Sequence, residues 1–81
     1  MLGVLYDWDS CESGCGESSY TVPDEPSMEA FDEACCDICN MIEVEEGDEA
    51  ELNLWTEDGG WSRSAVVYGD GSWDLGPVEG R

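Results

Sequence analysis

The chain of 81 residues carries 21 acidic residues against two arginines, with no lysine and no histidine, for a net charge of -19. That balance excludes direct binding to DNA, RNA or anionic lipid, all of which need Lys and Arg to neutralise phosphate. Four Trp, three Tyr, one Phe and a hydrophobic content of 41 % still supply a small core, so the charge does not imply disorder.

Residues 2 to 8, "LGVLYDW", are apolar and aromatic enough for a first strand, free to pair at either edge of a sheet. The Gly, Ser and Pro content that follows reads as a loop at about 9–26. Ser27 is the expected N-cap of a helix over about 28–42, where Met28, Phe31, Cys35, Ile38 and Ile42 recur at spacings of three and four. "EAELNLWTE" alternates, with Ala50, Leu52, Leu54 and Thr56 on one face and Glu49, Glu51, Asn53, Trp55 and Glu57 on the other. "DGG" at 58–60 marks a turn into a strand "WSRSAVVY", and "GDG" at 69–71 a turn into a short strand "SWDL". The tail at 76–81 is expected to fray. The sum is one α+β domain over 1–81, in two layers: one main helix packed on an antiparallel sheet of three or four strands.

No apolar run approaches the length of a membrane span, so no membrane association is expected. "MLGVLYDWDS" lacks a basic region and reaches Asp7 too early for a secretory signal, so a cytoplasmic location is expected.

Five cysteines stand as Cys11-x3-Cys15, then Cys35, Cys36 and Cys39. As zinc ligands the candidates are Cys11, Cys15, Cys35 or Cys36, and Cys39, because two pairs of soft thiolates can complete a tetrahedral site. Four thiolates around one dication would add negative charge to a chain already repelling itself, and the spacing matches no tight zinc signature. Buried core thiols are the plainer reading. A disulfide is disfavoured by a reducing cytoplasm. Catalysis has little to draw on. No His is present for proton transfer, and no Gly-rich phosphate loop carries a Lys. Asp70-Gly71-Ser72-Trp73-Asp74 lacks the spaced oxygens and closing Glu of a calcium loop and reads as a turn. A non-enzymatic binding protein is expected.

The acids are not spread evenly. Glu29, Asp32, Glu33 and Asp37 recur at helical intervals of three and four, about 6 Å apart at the Cβ atoms. Glu43, Glu45, Glu46, Asp48, Glu49 and Glu51 follow within nine positions without a cation. Glu49, Glu51 and, further along, Glu57 share one strand face, where neighbours two apart lie about 6.6 Å from one another. These intervals approach the phosphate spacing of a nucleic-acid strand. Trp55, on the same face, is either an apolar anchor beside the acids or a cover for a second apolar patch under the N-terminal strand.

In charge, size and lack of catalytic groups the chain resembles the small acidic DNA mimics that phages use against restriction or CRISPR effectors. The resemblance implies a viral inhibitor acting in the host cytoplasm, which sterically blocks the basic DNA- or RNA-binding surface of a defence effector. It implies a protein partner, with self-association left open. Two alternatives stand beside it. One is a halophilic protein whose repulsion is screened by concentrated salt, where the Debye length is about 3 Å at about 1 M. The other is a small zinc-stabilised adaptor that binds a basic protein.

Overall fold

The computed structural model describes residues 1–80, which form one helix and six strands. In chain order these are β1 (Leu2–Ser10), β2 (Cys15–Val22), α1 (Met28–Met41), β3 (Glu49–Thr56), β4 (Trp61–Tyr68), β5 (Trp73–Leu75) and β6 (Glu79–Gly80). All pairings are antiparallel, in the order β2-β1-β3-β4-β5, with β6 also pairing β4. The two-layer α+β architecture is as expected, but the sheet has six strands rather than three or four.

The two additional strands come from segments that the composition assigns to loop and tail. β2 lies inside the stretch 9–26 and pairs with β1 along its whole length, from Leu2↔Val22 to Asp9↔Cys15. Its presence makes β1 an interior strand between β2 and β3 rather than an edge. At the other end, Gly76 N–H donates to the Ser64 carbonyl, and Glu79 and Gly80 pair with Ser62 and Trp61. The segment expected to fray is therefore paired as far as Gly80, and Arg81 lies outside the described residues.

Ser27 caps α1 by accepting a hydrogen bond from Ala30 N–H. The buried face is Ala30, Phe31, Ala34, Cys35, Ile38 and Cys39. Met28 is exposed, because it is the first residue of the helix and lies off the stripe that Ala30 and Ala34 complete; these small residues let the helix approach the sheet closely. Ile42, just past the helix, packs partly against the core. Beneath the helix lie Val4, Leu52, Leu54, Ala65 and Val67, and Phe31 stacks on Trp61 with ring centroids 6.3 Å apart. Thr56, fully buried, donates from its hydroxyl to Asp58 and accepts from Trp61 N–H, which closes the β3–β4 turn.

Arg63 also lies on the inner face of β4, opposite Leu54, and its side chain is only 8 % exposed. Its Nη1 donates to Asp32 on α1 at 2.7 Å, while Nε and Nη2 both donate to the Gly76 carbonyl. The guanidinium thus joins the helix to the chain after β5. Among the described residues it is the sole basic side chain, and it is turned inward.

Candidate protein-interaction surface

Strand alternation and register decide where the acids lie. With Leu2, Val4, Tyr6 and Trp8 turned toward the helix, Asp7 and Asp9 of β1 point to the opposite, uncovered face of the sheet. On that open face Asp7 lies directly across from Glu17 of β2, and Asp9 directly across from Glu51 of β3. Like charges so placed destabilise a sheet. Glu49 continues the β3 row, and Asp74 of β5 lies beyond Val66, which itself faces Glu51. Glu57 lies over Gly3, whose missing side chain leaves it that space.

Relief among these acids is local and comes from neutral donors: the Asn53 amide donates to Asp7. Two apolar contacts interrupt the charge. Leu5 and Trp55 face each other as half-buried neighbours, and Val66 and Tyr68 line a shallow groove of about 500 Å3 bounded by Glu51 and Asp74. Trp55 thus lies on the open face with Glu49, Glu51 and Glu57, directly across from Leu5. The Tyr68 hydroxyl donates to Asp74, and this bond raises the phenol pKa.

The remaining expected acids do not join this face. Glu29, Asp32, Glu33 and Asp37 belong to α1, on the other side of the sheet, so helix and strand acids form two surfaces rather than one continuous row. Asp32 is held by Arg63, and Asp37 accepts from the Tyr20 hydroxyl of β2. Glu43, Glu45 and Glu46 are exposed on the α1–β3 connection. Asp48 has a structural use: its carboxylate accepts from Glu12 N–H, Ser13 N–H and the Ser13 hydroxyl. The Ser13 bonds hold its pKa at about 2. Together with the Glu45 N–H bond to the Ser13 hydroxyl, they fasten the β1–β2 turn to the segment before β3.

Sequence reasoning missed Asp7, Asp9, Glu17 and Asp74. The alternation of Tyr6-Asp7-Trp8-Asp9 carries the signal for the first two, but their partners depend on register.

The cysteines divide. Cys35 and Cys39 are buried under α1, and burial pushes their thiols up to about 12 and about 11 respectively. Cys36 is half-buried on the same helix, its thiol also raised by desolvation, whereas Cys11 and Cys15 are exposed around the β1–β2 turn. All five are free, and among the described residues no group of three Cys, Asp or Glu side chains is arranged to hold a metal ion. The set Cys11, Cys15, Cys35 or Cys36, and Cys39 is thus not brought together. No described helix is long and apolar enough to cross a membrane. No family model matches the chain, and no curated protein or solved structure is significantly similar to it.

Proposed function

We propose that the protein is a nucleic-acid mimic that occupies the basic DNA- or RNA-binding channel of a defence effector, as an inhibitor of the anti-CRISPR or anti-restriction type acting in the host cytoplasm. The observation that carries this reading is the open face of the sheet. Asp7↔Glu17 and Asp9↔Glu51 place carboxylates directly opposite one another, with no cation on that face among the described residues. Folding alone disfavours such pairs. A partner rich in Lys and Arg relieves them, and cationic side chains already positioned for phosphates meet carboxylates at comparable intervals. The groove beside Glu51 and Asp74 suits one long basic side chain, its stem against Val66 and Tyr68 and its head between the acids. Leu5 and Trp55 provide the apolar contact that charge alone lacks. The exposed Glu43, Glu45 and Glu46 extend the negative surface at one end.

Competition tests this reading. A nucleic-acid-binding effector captured by the intact protein should release it as DNA or RNA is titrated in. Paired reversals, Glu49→Lys with Glu51→Lys or Glu43→Lys with Glu46→Lys, should weaken capture at least tenfold at low salt without lowering the melting temperature. An effector that holds the protein and its nucleic acid together, with no loss of either, rejects mimicry.

A further inference from the structure

The two edges of the sheet are finished differently. Beyond β4 the edge is divided between three residues of β5 and two of β6, interrupted by Gly76 and Pro77. Short strands and proline are ordinary protection against unwanted strand addition. The β2 edge is eight residues long, largely exposed, and carries no proline and no lysine.

The backbone phase of β2 follows from one hydrogen bond. Ser10 N–H donates to the Gly14 carbonyl, which makes that pair hydrogen-bonded. In an antiparallel ladder bonded and non-bonded pairs alternate. Trp8↔Gly16, Tyr6↔Ser18, Val4↔Tyr20 and Leu2↔Val22 are therefore bonded, and the residues between them are not. Cys15, Glu17, Ser19 and Thr21 thus direct both N–H and C=O away from β1, to the free edge. The same four residues carry their side chains on the open face.

Acids flank this edge on both sides. On the open face are Glu17 and, one strand inward, Asp7. On the helix side the Tyr20 hydroxyl donates to Asp37, and that bond first, with the charges of Asp37 and Glu33 adding to it, raises the phenol pKa. A strand docked there has one row of side chains against Glu17 and Asp7, and the alternate row against Glu33 and Asp37. We propose that β2 accepts an extended, lysine- and arginine-rich segment of the partner as an additional antiparallel or parallel strand, paired through the backbone of Cys15, Glu17, Ser19 and Thr21. This rests on the basic-partner reading above and adds the mode of engagement. A second copy of the chain is the wrong occupant, because it would set two such acidic flanks, each on a chain of charge -19, against each other.

The test uses the full chain and two synthetic ten-residue peptides of Lys, Arg and Val with the same sequence. One is unmodified; the other is N-methylated at successive residues so that neither of its edges can donate. The unmodified peptide should bind at least tenfold more tightly, and should slow amide exchange at Cys15, Glu17, Ser19 and Thr21. Ser19→Pro, which removes an outward N–H and no bond to β1, should cost a similar factor while the melting temperature is kept. Equal affinity for the two peptides overturns strand addition but leaves binding to a basic partner intact. Binding of neither peptide, or β2 amides protected by dimerisation of the chain itself, also overturns it. Mimicry is decided separately, by the nucleic-acid competition.

Discussion

The two faces of the one sheet obey different rules. On the inner face the central positions are settled by packing: Val4, Leu52, Leu54 and Val67 share one buried cluster with Phe31 and Ile38, and the single buried cation has three hydrogen bonds. On the outer face neighbours repel, although a lysine in place of Glu17 or Glu51 would remove the repulsion at once. Stability is thus concentrated in one layer, and the other retains an arrangement that folding does not reward. A surface kept against its own electrostatics is where a partner is to be sought.

The comparison is broken most severely from inside. Phe31→Ala removes a fully buried ring stacked on Trp61 and should cost about 3 to 5 kcal/mol in equilibrium unfolding by urea. A loss below about 1 kcal/mol would show that the inner face does not hold the fold. Next is Arg63→Met, which leaves the Gly76 carbonyl without its two donors and Asp32 without its partner; about 1 to 3 kcal/mol is expected. Asp32→Asn should cost less, since Asp32 is largely exposed to water. Equal costs would place the value of Arg63 in the ion pair rather than in the tie to Gly76.

Changes to the outer face should act in the opposite direction. Glu51→Lys puts a cation across from Asp9 and should raise stability by about 0.2 to 1 kcal/mol while weakening capture of a basic partner. Destabilisation would mean that the like-charge pair is not what register implies. Added monovalent salt should raise the melting temperature of the wild type between low and moderate ionic strength, and less steeply in Glu51→Lys. A requirement for molar salt to fold at all would favour the halophilic alternative. The smallest effect belongs to Asp48. Its carboxylate pKa is depressed in the fold, from 3.8 to about 2, so its contribution is present above about pH 4 and is lost as pH falls through about 2. The stability gap between wild type and Asp48→Asn should therefore close across that window, as followed by thermal unfolding at each pH.

Legibility in the sequence followed the strength of local pattern. α1, β3, β4 and β5 were readable because helical periodicity, alternation and the turns at 58–60 and 69–71 are decided within a few residues. β2 was not: "CGESSYTV" keeps apolar side chains only at Tyr20 and Val22 on its inner side, and Ser and Gly elsewhere imitate a loop. β6 is too short to show a period. The same limit divided the site. Glu49, Glu51, Trp55 and Glu57 share a face by alternation alone, whereas Asp9 meets Glu51 only through pairing of strands far apart in the chain. Asp48 looked like any other acid of its run, because its use depends on Ser13, 35 residues away.

The inward turn of Arg63 also determines how the molecule meets a protease. Within these 81 residues trypsin has one internal bond to cut, Arg63–Ser64, since there is no lysine and Arg81 is the last residue. That bond lies in the middle of β4, paired with β3 on one side, its arginine side chain under the helix. Trypsin cannot bind this arginine in its specificity pocket until the sheet and helix separate. Where reclosing is faster than cutting, the rate of digestion reports the equilibrium population of the opened chain. The two fragments, 1–63 and 64–81, then record global opening rather than the motion of any loop.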